Sequence, residues 1–209
     1  MTNISQQMVG MITFAAWPEF TRLNERENKK HLVSLFNTII YTLIYLSFIV
    51  GIIYNSYGEL IFRWWLGNKV NYDSDIMHIF VIIMVISTYW MSYRNLLMSV
   101  NHHMRISWLL SSAAVTEGLF AFIGGRIYGP IGLAIGMLLA SVLLPFWFMP
   151  YEASKKWKTI KPFKEMLFII MLLAWISLVP FTKTLSFVNI LLLSIVWLLL
   201  VKREIKIYD

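Results

Sequence analysis

The chain contains no cysteine. That excludes disulfides, thiolate zinc sites, iron–sulfur clusters and cysteine nucleophiles together. It leaves the redox side open. Charge is also scarce: Asp, Glu, Lys and Arg make up 14% of 209 residues, against about 25% in a soluble domain. The local patterns of common enzymes are missing. There is no HExxH, no GxSxG, no Walker loop and no DxD site on a soluble domain. No enzymatic activity and no cofactor are expected. The N-terminal stretch MTNISQQMVGMITFAAWPEF lacks the positive n-region and the small-residue cleavage site of a signal peptide. No connecting segment has the length of a catalytic ectodomain, and no repeat or low-complexity tract stands out.

What fills the chain is oil. Apolar residues make up 58% of it, and the mean hydropathy is +0.66. A water-soluble fold of this size could not bury so much apolar surface. A spanning helix needs about 20 mostly apolar residues. Seven candidate runs are present: residues 4–20, 32–54, 76–100, 106–124, 130–150, 165–181 and 185–201. Lipid offers no partner to bare backbone groups, so spans are helices or a closed barrel. Barrel strands alternate over about ten residues, and these runs do not. The expected fold is therefore all-α: one polytopic transmembrane helical bundle of about seven spans.

The connections carry the charge. TRLNERENKKH follows the first run. The segment between runs two and three is the longest and contains the amphipathic stretch YGELIFRWWLGNKV, whose Trp64 and Trp65 read as interfacial anchors. Residues 151–164 are basic. Assigned to alternate sides, fourteen Lys and Arg fall on one side and four on the other. Basic residues collect in cytoplasmic loops, so the expected topology is N-terminus outside, C-terminus inside. The net charge of +7 has this origin, and no soluble basic domain points to nucleic acid. A first span with Asn3, Ser5, Gln6 and Gln7 and no positive charge behind it inserts poorly as a leader. It reads as a helix whose upstream neighbours are missing.

Few residues within the runs could carry chemistry. Glu117 sits mid-run in SSAAVTEGLFAFIGG, where a charge costs about 2.5–3.5 kcal/mol on insertion scales. Ala113, Ala114, Ala121 and Gly124 share its helix face, which suits close packing or a cavity wall. Glu117 is a proton- or cation-sensitive acid, a substrate contact, or a paired structural carboxylate. Arg94 lies in the third run. Ser87, Arg94 and Asn101 recur every seven residues and so would line one face. Arg94 either faces a cavity that accepts anionic headgroups or snorkels to the near interface. A direct Arg94–Glu117 pair is disfavoured by a depth mismatch of about 7 Å. His102 and His103 are adjacent, with no carboxylate or thiolate at ligand spacing, so no metal is expected. Asp73 and Asp75 lack the rest of a calcium loop. Pro18 and Pro130 break or start helices. Gly129, Gly132 and Gly136 allow close helix approach.

The order of these features resembles a known family. A helix ending in WPEFTRL leads to a charged loop, a long span and GELIFRWWLGNKV. A further span ends in NLLMSVNHHMRIS, and the glycine turn YGPIGLAIGMLLAS starts the next. This is similar to the C-terminal half of polysaccharide-type flippases in the multidrug/oligosaccharidyl-lipid/polysaccharide exporter superfamily. Pro18 stands where the family's eighth helix closes. Gly129, Gly132 and Ala134 match the tract opening its twelfth. Asn101 and Arg105 lie near a pattern before its eleventh. The resemblance covers most of residues 1–160 and, loosely, the last two spans. It implies one lobe of an exporter of about fourteen spans in the cytoplasmic membrane. The implied substrate is a lipid-linked oligosaccharide on a polyprenyl diphosphate carrier. Arg94, Glu117, Ser87 and Asn101 would then be substrate-cavity candidates. It further implies a missing N-terminal half, through truncation, a split reading frame or a second chain. Rival expectations are a drug/cation antiporter of the same superfamily, a membrane enzyme of surface-glycan assembly and a non-transporting membrane subunit.

Overall fold

The computed structural model describes residues 2–67, 72–163, 165–167, 169–170, 173 and 183–205. Among these residues every regular element is helical. The helices are α1 (Thr2–Glu25), α2 (Lys29–Leu66), α3 (Ser74–Ser99), α4 (His103–Leu143), α5 (Pro145–Lys156) and α6 (Lys183–Ile205). Three stretches have the length and hydropathy that a membrane crossing needs: Lys29–Trp65, Ser74–Ser99 and His103–Lys156. A shorter apolar helix runs Ile190–Lys202. The run expected at 165–181 lies mostly outside the described residues.

Charged connections turn out to be helix ends. The TRLNERENKKH segment is helical except for Arg26, Glu27 and Asn28. The reversal falls there because Glu27 takes a positive φ of 55° and Asn28 caps α2, its side chain accepting from the His31 N–H at 3.4 Å. The expected loop after Tyr54 is corrected in the same way, for α2 continues to Leu66. Nothing in YGELIFRWWL breaks a helix. The stop comes at Gly67, whose φ of 64° costs glycine little. Gly58 is held within the helix beside Tyr72, whose hydroxyl would lie 2.6 Å from an added Cβ.

The long α4 is a hairpin. Gly129 sits at φ 63°, ψ −145°, and Pro130 follows it. Glycine reaches that conformation easily, and proline at the first position of the next arm starts a helix. The two arms, 103–128 and 130–143, then run back against each other. A Cβ at Gly124 would overlap the Gly132 carbonyl, and one at Gly136 would overlap the Phe120 carbonyl. The stripe that includes Ala121 and Gly124 is thus a packing surface between the arms. Leu144 interrupts the second arm, and α5 carries on from Pro145.

α3 forms the centre, packed on α1, α2, α4 and α5. Its middle is buried on nearly all sides, from Val81 to Leu97. Phe36 of α2 meets Tyr93 at 4.8 Å between ring centroids, and Tyr89 meets Phe146 of α5 at 5.3 Å. Such tilted and edge-on pairs add to the area the rings bury.

Candidate functional site

Arg94 is half-buried on α3. Its Nε and Nη2 donate to Asn95 Oδ1 at 3.1 and 3.0 Å, and the guanidinium lies 5.9 Å from the Trp90 ring centroid. Buried Asn95 then donates through Nδ2 to Thr13 Oγ1 at 2.7 Å, and the Thr13 hydroxyl donates to the Val9 carbonyl. A polar chain thus crosses from α3 to α1 inside an apolar bundle. Among the described residues no carboxylate lies within ion-pair distance of Arg94. A buried or half-buried cation without a counter-ion is expensive. Asn95 and Trp90 reduce that cost without neutralising the charge.

The other candidates lie apart from it. Ser87 is buried, and its hydroxyl donates to the Met84 carbonyl at 3.0 Å. Asn101 does not extend the α3 face, because the helix ends at Ser99. It occupies the turn at φ 59°, where asparagine is tolerated, and its Oδ1 pairs with His103 Nε2 at 3.1 Å. The expected line of Ser87, Arg94 and Asn101 is therefore corrected: one points into the core and one caps a turn. Glu117 is half-buried on the first arm of α4 and forms no ion pair among the described residues. Arg94 and Glu117 do not meet.

Three acids that sequence reasoning passed over are buried: Glu152, Glu165 and Glu204. All sit at one end of the bundle. Glu152 of α5 faces Arg105 Nη2 at 3.3 Å and His102 Nε2 at 3.8 Å. Glu165 accepts from the Tyr93 hydroxyl. Glu204 accepts from Asn37 Nδ2 at 3.2 Å, and its carbonyl accepts from Ser34 Oγ at 2.9 Å. Lys156 reaches the Val100 carbonyl at 3.3 Å and lies 5.3 Å from the Trp157 ring centroid. Thr21 of α1 donates to the Ser99 carbonyl at 2.9 Å. These bonds gather the ends of α1, α3, α5 and α6 and the starts of α2 and α4. The available signal was an acid set among lysines in YEASKKWK, which reads equally well as a solvated loop.

Two voids beside α2, one lined by Tyr41, Tyr45 and Trp197 and one by Met8, Leu43 and Thr88, measure about 20 and 10 Å³. Each has room for about one water. A larger cleft of about 600 Å³ opens between α1 and α2. Among the described residues no three His, Asp or Glu side chains are placed to hold a metal. Comparison with protein-family models, curated proteins and solved structures finds no match.

Proposed function

We propose that the chain is one lobe of a membrane transporter that carries lipid-linked oligosaccharide or polysaccharide repeat units across the cytoplasmic membrane. The carrying observation is Arg94, a half-buried cation on a membrane-spanning helix with no carboxylate within ion-pair distance among the described residues. Intramembrane charges of this kind mark substrate or ion pathways by default. A guanidinium suits the diphosphate of a polyprenyl carrier because its fork of donors matches phosphate oxygens. The order of sequence features from WPEFTRL to YGPIGLAIG supports the same family. The glycine hairpin supplies two antiparallel arms, which supports counting α4 as two of the seven expected crossings. The basic end then faces the cytoplasm, with the N-terminus outside. The buried middle of α3 suits a lobe that moves as a rigid body against another, the substrate passing along its face.

The same packing favours a second reading, a membrane subunit that scaffolds without transporting. Deleting the gene and then restoring it with Arg94→Gln separates the two. Glutamine still donates to Asn95 but carries no charge. A transporter lobe predicts that deletion abolishes surface glycan and strands lipid-linked units on the inner leaflet, and that Arg94→Gln repeats the defect with the chain still in the membrane. Full glycan display by the Arg94→Gln strain removes the substrate role.

A further inference from the structure

α2 is longer than a bilayer is thick. Its 38 residues, Lys29–Leu66, measure about 57 Å at about 1.5 Å per residue. The hydrocarbon core is about 30 Å thick, or about 40–45 Å with both headgroup layers. The exposed Lys29 and Lys30 fix one end of α2, because ammonium groups stay out of hydrocarbon. Trp64 lies about 52 Å from Lys29 along the helix. An upright α2 would therefore carry Trp64 and Trp65 about 10 Å beyond the far headgroups.

These last turns are apolar on one side. Ile53, Tyr57, Leu60 and Trp64 recur at spacings of four, three and four, so they share one face. All four are exposed. Leu60 is 67% exposed, Trp64 86% and the adjoining Trp65 75%. Ile53 belongs to the apolar run that crosses the bilayer, so the exposed stripe passes from the lipid-facing surface to the tip without a break. The other sides differ. Gly58 and Phe62 meet Tyr72. Arg63 Nη2 donates to Glu59 Oε1 at 2.6 Å, with both side chains in water. That pair lies on a different side of the helix from the stripe. An apolar face, a charged face and exposed tryptophans together are the pattern of a helix resting on a membrane interface.

We propose that the last three turns of α2 dock on the lipid surface opposite the basic end, and that α2 crosses the bilayer inclined by about 30–40° to reach it. Leu60 and Trp64 turn toward the acyl chains, and the Glu59–Arg63 pair turns toward water. Spanning helices reach inclinations of up to about 40°. The proposal rests on α2 being a spanning helix. It stands whether or not the chain transports.

The test uses the absence of cysteine, which makes any introduced thiol unique. A nitroxide is placed at Leu60→Cys or at Arg63→Cys on the whole chain in phosphatidylcholine nanodiscs. Collisions with oxygen, which concentrates in lipid, and with a water-soluble nickel chelate locate each label. The Leu60 label should collide mainly with oxygen and the Arg63 label mainly with nickel. Trp64→Ala with Trp65→Ala should shift the Leu60 label toward nickel. Trp108→Ala, which removes an exposed tryptophan of α4, should leave it in place. Helical circular dichroism of all variants verifies folding. Mainly nickel collisions at both labels would mean an upright tip in water and overturn the proposal. Protection of the Leu60 label from both reagents would overturn it too, by identifying a protein occupant; spin–spin broadening would mark that occupant as a second copy.

Discussion

Gly125 and Leu133 face each other across the α4 hairpin: a Cβ added at Gly125 would lie 3.6 Å from the Leu133 Cβ. Disulfides form at Cβ separations of about 3.5–4.5 Å. The chain has no other cysteine, so Gly125→Cys with Leu133→Cys should give one intramolecular bridge and a mobility shift reversed by reductant. Gly132→Leu should block it, since any side chain there meets the Gly124 carbonyl. A double variant that stays reduced under oxidant would mean the arms do not fold back at Gly129.

The Glu152–Arg105 pair is lopsided. Glu152 is 3% exposed and Arg105 58%. Removing the arginine leaves a buried carboxylate with His102 as its remaining ion-pair partner among the described residues; removing the acid leaves a cation already in water. Arg105→Ala should therefore cost about 1–3 kcal/mol, and Glu152→Gln clearly less. Detergent unfolding of the two variants measures this. Equal costs, or the reverse order, would contradict the burial of Glu152.

Tyr93 and Glu165 should behave as a coupled unit. Tyr93→Phe strips the buried carboxyl of its donor and should cost about 1–3 kcal/mol. Adding Glu165→Leu to Tyr93→Phe should recover part of that loss, because both polar partners are then gone. A double-mutant cycle reads the coupling directly, and strictly additive effects would argue against the bond.

The helices were legible because apolar runs are long and local. α3, expected at 76–100, spans Ser74–Ser99. Helix ends were less legible, because charge at an interface does not stop a helix. The stops are Asn28 and Gly67, set by backbone conformation. Gly129 was visible as a turn, and its neighbours Gly124, Gly132 and Gly136 as sites of close approach. Arg94 stood out as a charge among apolar residues, but its partner did not. Adjacent side chains on a helix seldom face each other, yet the long guanidinium reaches round to Asn95. Glu152, Glu165 and Glu204 escaped notice because Arg105, Tyr93 and Asn37 are far from them in the chain, so nothing local distinguishes these acids from solvated ones.

The ties described at the basic end join α1 to α3, α2 to α6 and α4 to α5. A force applied there to any one of these helices is therefore shared with a neighbour.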